Sequence, residues 1–160
     1  MITDVTAVVL AGGKSSRMGQ NKALLSYQGK PLIENVIEKL TSIFSRVVLS
    51  VHQPDAFVQL GLPRVVDRHP ETGPMGGIAS VLESGEKNIF CMACDMPFLN
   101  APLIQYICSF RTVDAVIPVW KDRPEVLHAL YSASLLPTFQ SYLIQKDYKI
   151  IDAIEESRWL

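Results

Sequence analysis

The sequence predicts an α/β domain built on a mostly parallel sheet, and three observations carry that prediction. Short apolar runs of strand length alternate with segments of helical periodicity, which implies strands joined by crossover helices. The first apolar run, Val5 to Ala11, stops abruptly at Gly12 and Gly13, and Lys14, Arg17 and Lys22 then follow in quick succession. No internal repeat, low-complexity tract or linker interrupts the pattern, so the 160 residues read as one domain.

Composition narrows the function classes. With 48% hydrophobic and 19% charged residues the chain is an ordinary folded one, and a domain of this size buries about two-thirds of its unfolded surface without disulfides or metals. The net charge is −1, with both signs interspersed, which argues against an extended DNA or RNA surface. Any polyanion must be held locally, and that favours a nucleotide over a nucleic acid. Met1-Ile2-Thr3-Asp4 has no basic start or apolar signal core, and no apolar stretch approaches the ~18 residues of a membrane span, so the expected location is the cytoplasm. Cys91, Cys94 and Cys108 are odd in number, which speaks against a disulfide framework. Cys91-Met92-Ala93-Cys94 has metal spacing, yet no second ligand pair accompanies it, and both thiols are expected in the core.

The glycine turn after the first strand is the predicted centre of function. Gly12 and Gly13 lack a Cβ, so a ligand can press against their N–H groups, and consecutive amides in such a turn form an anion receptor. Lys14, Arg17 and Lys22 add mobile positive charge around it, as a polyphosphate requires. The spacing is neither that of a dinucleotide-binding fingerprint nor that of a Walker P-loop.

Further along, Ala23 to Tyr27 is expected to be extended, Gln28-Gly29-Lys30 a turn, and Pro31 the start of a helix running to Ile43 with Leu32, Ile33, Val36, Ile37 and Leu40 on its apolar face. Val47 to Val51 is a buried strand, followed by a helix-like piece from Pro54 through Phe57. Ser50 and His52 stand near the strand's C-terminal end, where ligands bind in open α/β sheets, although each is more often a structural residue there. Arg64-Val65-Val66 is a short strand ending in Asp67. The turn-rich loop Arg68 to Gly77 opens a helix from Ile78 to about Glu83, whose start offers free amides to an anion and forms the expected second wall of the pocket.

Asn88 to Cys94 is the next buried strand, ending in Asp95-Met96-Pro97-Phe98. An aspartate at that position sits where the ligand crevice is expected, and Asn100 is available to cap the following helix, Leu103 to Phe110. Asp95 is therefore the metal candidate, because a nucleoside triphosphate travels with Mg²⁺, which takes one or two carboxylates plus phosphate oxygens and water at about 2.1 Å. Asp114 to Trp120 is an edge-like strand, Lys121 to Pro124 a turn, and Glu125 to Tyr131 another strand. Leu135 to Ile144 and Ile150 to Glu155 are helical. Trp120, Arg123 and His128 offer an aromatic face, a cation and an imidazole.

Leu10 through Lys22 matches the pattern Leu-Ala-Gly-Gly-x-Ser-x-Arg-Met-Gly-x-x-Lys at every fixed position, and the chain thereby resembles the molybdenum cofactor guanylyltransferases of the nucleotidyltransferase superfamily. Gly73-Pro74-Met75-Gly76-Gly77 is similar to the family's Gly-Pro-Leu-x-Gly element, with Met for Leu, and Asp95-Met96-Pro97 keeps its Asp-x-Pro magnesium motif. The resemblance implies a three-layer α/β/α, Rossmann-like nucleotidyltransferase fold. It implies transfer of GMP from GTP to molybdopterin with release of pyrophosphate, and Mg²⁺ as cofactor. Arg17, Lys22 and Asp95 are then catalytic; Leu10, Ala11, Gly12, Gly13, Lys22, Asp67 and Asp95 hold the nucleotide; Asp95 holds the metal. Trp120, Arg123 and His128 fall in the segment that faces the pterin.

GTP and molybdopterin are the implied small-molecule partners, with transient contact to other molybdenum cofactor synthesis proteins or a molybdoenzyme chaperone. The family's closing strand carries an Asn-x-Asn-Thr-Pro-like element that has no counterpart after Tyr131. Either that segment is missing from this sequence or the protein is naturally short. A cytidylyl- or sugar-phosphate nucleotidyltransferase, or a GTP-binding regulatory or adaptor domain without turnover, stays open as an alternative.

Overall fold

The computed structural model describes residues 1–12, 22–27, 29–155 and 157–160, with the backbone alone for Lys22. Strands β1 (Thr6–Leu10), β4 (Val47–Val51), β5 (Arg64–Val66), β6 (Asn88–Ala93), β7 (Ala115–Val116) and β10 (His128–Ser132) form one sheet in the order β5-β4-β1-β6-β10-β7. The pairs β1 with β4, β1 with β6, and β4 with β5 are parallel, whereas β10 runs antiparallel to both β6 and β7. The reason is local. β7 continues directly into a small hairpin, β8 (Val119–Trp120) and β9 (Arg123–Pro124), and a return that short reverses the chain instead of crossing over the sheet.

Strands β1, β4, β6, β7 and β10 are largely buried on both faces, with edge strand β5 more open, and neighbouring side chains divide between the faces. Ala7, Val9, Leu49, Phe90 and Met92 meet Ile33, Val36 and Leu40 of α1 (Leu32–Ile43) and Ile104 and Ile107 of α3 (Ala101–Ile107). Val8, Val48, Ile89, Cys91 and Tyr131 meet α2 (Pro74–Glu83), α4 (Leu136–Gln145) and α5 (Ile150–Ile154). Three layers result, and each fully buried Leu, Ile or Phe contributes about 1.5–3 kcal/mol. Of the two thiols expected in the core, Cys91 is buried but Cys94 only partly so, packed against its margin; Cys108 is buried as well, and burial pushes its thiol up to about 12 and that of Cys91 higher still.

Several local expectations are corrected. Ala23 and Leu24 belong to a 3₁₀ turn, Lys22–Leu24, with the Ala23 methyl in the core, and only Ser26–Tyr27 (β2) is extended, pairing with Lys30–Pro31 (β3). The helical turn expected at Pro54 to Phe57 lies instead at Val58–Leu60, after Phe57 has taken a left-handed conformation. Helix α2 begins at Pro74, four residues before Ile78, because Gly73 at φ 66° ends the loop and Pro74 suits the first helical position. The strand expected from Asp114 to Trp120 is split, since Pro118 cannot continue a ladder. Asn100 caps α3 as expected, its side chain accepting from the Leu103 amide.

His128 opens β10 opposite Met92 and lies in the core, 8% exposed, its ring edge-on to Phe90 at 5.1 Å between centroids. Its Nε2 has no hydrogen-bond partner among the described residues. Burial outweighs the attraction of Glu125 and holds its pKa below the ordinary histidine value. The folded state therefore favours neutral imidazole, and between that lowered value and about 6.5 the unfolded chain binds more protons. Stability should fall as pH drops below about 6.5, by up to ~1.4 kcal/mol per pH unit. Asp4 and Asp114, held low by hydrogen bonds from Arg111 and Ser134, lose stability only at more acidic pH. Thermal melts between pH 5 and 7 check this: His128→Met should flatten the dependence in that window, and an unchanged slope would exonerate His128.

Candidate active site

The parallel strands β1, β4, β5 and β6 all end at one edge of the sheet, and the predicted site residues collect there. The register pairs Leu10 with Ala93 and Leu10 with Ser50, so the turn after β1 emerges between Asp95 on one side and His52 on the other. Ala11 extends the pairing by one residue, its amide donating to the Ser50 carbonyl at 2.9 Å. Gly12 then turns against the His52 ring. A Cβ on Gly12 would stand 3.2 Å from His52 Nδ1 and 3.3 Å from Cε1, tighter than ordinary contact, so the glycine is what lets the ring lie there.

Asp67 follows β5, its amide donating to the Val51 carbonyl at 2.8 Å. Its side chain is only 4% exposed, and a buried carboxylate needs partners. Oδ1 accepts from the His69 amide at 2.8 Å, with the Ser80 hydroxyl at 3.3 Å, and Oδ2 stands 3.4 Å from His52 Nδ1. With the proton on Nδ1, His52 donates to Asp67 and keeps Nε2 for the edge of the site. The same Ser80 hydroxyl accepts from the Arg68 amide and donates to the Gly76 carbonyl. One buried carboxylate and one buried hydroxyl thus tie the loop after β5 to the first turn of α2.

The start of α2 closes in on both strands. Gly77 packs so near β1 and β4 that a Cβ would stand 2.9 Å from Ser50 Oγ and 3.2 Å from Leu10 Cδ2. The amides of this first turn have no intrahelical acceptor and sit at the positive end of the helix dipole. On the other side of the glycine turn, Asp95 stands exposed just past the end of β6. Among the described residues no three His, Cys, Asp or Glu side chains gather as a metal cluster. An exposed carboxylate beside a glycine turn is the kind of group that suits an ion arriving with its own phosphates and retaining water.

Of the predicted site residues, Leu10, Ala11, Gly12, Asp67 and Asp95 share this edge. Lys22 begins the 3₁₀ turn that returns from the glycine-rich loop. Gly13, Lys14 and Arg17 lie outside the described residues. The β8–β9 hairpin leaves the same edge from the end of β7, with Trp120 and Arg123 paired across it and exposed; Lys121 and Asp122 form its turn, both at positive φ. His128 does not join them: its burial against Phe90 removes it from any pterin surface that Trp120 and Arg123 provide. Sequence reasoning passed over Ser80 and the His52 to Asp67 pairing, and the one available signal was the position of His52 after a buried strand.

Comparison with known proteins shows the family and the fold. The profile of the MobA-like NTP transferase domain matches residues 7–158. A probable molybdenum cofactor guanylyltransferase from Carboxydothermus hydrogenoformans is 36% identical over 151 residues, covering 93% of this chain and 76% of the relative. One from Natranaerobius thermophilus is 34% identical over 168 residues, covering 100% and 82%. The crystal structure of molybdopterin-guanine dinucleotide biosynthesis protein A from Archaeoglobus fulgidus superimposes with a TM-score of 0.83 at 26% identity, covering 98% of this chain and 82% of that one.

Proposed function

The chain belongs to the MobA-like NTP transferase family, and on that premise we propose that it is a guanylyltransferase, transferring GMP from GTP to molybdopterin with release of pyrophosphate. One observation carries the proposal furthest. The register of β1 on β6 brings the glycine turn and Asp95 to adjacent strand ends, about 4.8 Å apart laterally, so a triphosphate seated on the turn lies within reach of the carboxylate. Residues 1–160 serve as a single nucleotidyltransferase domain in this reading.

The terminal phosphate of molybdopterin attacks the α-phosphorus of GTP, and pyrophosphate leaves. Main-chain amides of Gly12 and Gly13 receive the phosphates, while Arg17 and Lys22 clamp them, each charge-assisted bond contributing about 1.5–3 kcal/mol. Asp95 would hold Mg²⁺, which when bound neutralises charge on the phosphate oxygens. Leu10 and Ala11 line the base pocket, and Asp67 faces the guanosine through the edge it shares with His52 and Gly76. The acceptor phosphate is already ionised at neutral pH, so the reaction runs on positioning and electrostatics without a protein base. Trp120 and Arg123 flank the acceptor side. The enzyme works in the cytoplasm, with transient contact to other cofactor-synthesis proteins or a molybdoenzyme chaperone; among the described residues no helix is long and apolar enough to cross a membrane.

Pyrophosphate release, assayed with molybdopterin, Mg²⁺ and each of GTP, CTP and UTP, tests the proposal. GTP should support turnover at least about a hundredfold better than the pyrimidine nucleotides, as a pocket that hydrogen-bonds its base discriminates. Preference for CTP would make the chain a cytidylyltransferase, and binding without release would make it an adaptor. Base choice also depends on Gly12 in this reading, because the His52 ring lies directly against it. Gly12→Ala should reduce the ratio of kcat/KM for GTP over CTP by about tenfold as the added methyl displaces His52. An unchanged ratio would remove Gly12 from specificity.

A further inference from the structure

Helix α1 grips two separate loops of the site with one face. Asn35 Nδ2 donates to the carbonyls of Tyr27 at 3.1 Å and Pro31 at 3.2 Å, which fixes the β2–β3 hairpin immediately after the Lys22–Leu24 turn. The Leu32 amide adds a bond to the Leu25 carbonyl at 2.9 Å. One helical turn later, Lys39 Nζ donates to the Pro97 carbonyl at 3.2 Å, in the loop that carries Asp95. Met96 and Leu99 of that loop pack against the core around α1 and α3, but Phe98 does not. Its ring is 80% exposed, and the edge-to-face contact it makes is with Tyr27, at 5.6 Å between centroids and 76° between planes.

An exposed phenylalanine reaching across to a tyrosine of another loop is poorly explained by burial. It is well explained by closure. We propose that Tyr27 and Phe98, with the Lys39 to Pro97 bond beneath them, form a latch that fixes the Asp95 loop relative to the Lys22 segment. Asn35 and Lys39 are its two anchors on a rigid helix, and the ring pair ties the outer ends together. These are positioning residues: none is placed against substrate, and they act through the separation of Asp95 from Lys22. Its functional part rests on the roles given above to Lys22 and Asp95; its geometry does not.

Hydrogen exchange by mass spectrometry on the ligand-free full chain, over residues 95–99, tests the latch, alongside calorimetric binding of Mg²⁺ with GTP. Tyr27→Ala and Lys39→Met lie outside that segment, yet each should speed its exchange about three- to tenfold, as loss of one aromatic pair or one bond allows. Each should weaken Mg²⁺-dependent GTP binding by a similar factor, with the thermal midpoint within a few degrees of the parent. Phe98→Tyr keeps the ring and should leave both readouts at the parental level. Combining Tyr27→Ala with Phe98→Ala should be no worse than either alone, because one contact is lost in all three.

Unchanged exchange over 95–99 in both Tyr27→Ala and Lys39→Met overturns the latch, whatever the protein binds. Faster exchange with undiminished GTP affinity overturns its functional part. A parent chain that ignores GTP sinks the guanylyltransferase proposal instead, and the exchange result still decides the latch.

Discussion

Asp95→Ala is expected to lower turnover by roughly 10²–10³, the range found when one preorganised charge-stabilising group is removed from a transition state. The carboxylate stands exposed just past the end of a central strand, and thermal stability should stay close to the parent value. Its neighbours make the loss specific. Gly12 lies just past the end of the adjacent strand, the Lys22–Leu24 turn returns beside α1, and no cluster of further acidic or imidazole ligands among the described residues can take over the ion. Lys22→Ala should fall in the same range, by loss of a cation on the triphosphate. Steady-state pyrophosphate release at saturating GTP checks both, and activity within a few-fold of the parent in both variants would remove these residues from the mechanism.

Gly76→Ala should be the most destabilising small substitution at the site. A methyl there would overlap Thr72 Oγ1, and would stand 2.6 Å from the His69 carbonyl oxygen and 3.1 Å from Asp67 Oδ1. Two of the three obstacles cannot step aside cheaply. The carbonyl is backbone, and the carboxylate is buried with its oxygen already accepting from the His69 amide. Overpacking of this kind costs about 1–3 kcal/mol, and displacement of the Asp67 network adds to it. Chemical denaturation should show a loss of at least about 2 kcal/mol, accompanied by weaker GTP binding. A stability within 0.5 kcal/mol or so of the parent would mean that the loop after β5 is far less constrained than its hydrogen bonds indicate.

What was legible in the sequence was whatever depends on runs and periodicity. Val47–Val51 and Arg64–Val66 are strands with the expected bounds because both are apolar runs closed by turn formers, and α1 follows from the spacing of Ile33, Val36 and Leu40. Asp95 falls just past a strand end because Pro97 stops the ladder soon after Ala93. The helix that the sequence predicts from Ile78 lacks the first turn of α2 for a physical reason. Pro74, Met75, Gly76 and Gly77 have the composition of a loop, yet they are helical because Gly76 and Gly77 must pass close to Asp67, Ser50 and Leu10. Helix propensity disfavours those glycines, and tertiary packing requires them.

Long-range pairings were not legible at all. Nothing near His52 announces Asp67, and nothing near Lys39 announces Pro97. The residues after α5 return alongside β7, with the Ile117 amide donating to the Leu160 carbonyl at 2.7 Å and Trp159 bridging to Ala115, although this stretch carries no strand pattern. The resemblance puts His128 on the pterin side, and the structure puts it in the core. Its alternation with Leu130 along β10, both on the α1 and α3 side of the sheet, is what commits it to the core.

Manganese binding followed by electron paramagnetic resonance, with GTP present and absent, goes to the centre of the account. A divalent ion should bind tightly only when GTP is present, and Asp95→Ala should weaken that ternary binding by at least about thirtyfold while leaving the fold intact. Equal manganese affinity in the parent and in Asp95→Ala, with GTP bound to both, would contradict the meeting of the first and sixth strands at a metal-bridged triphosphate.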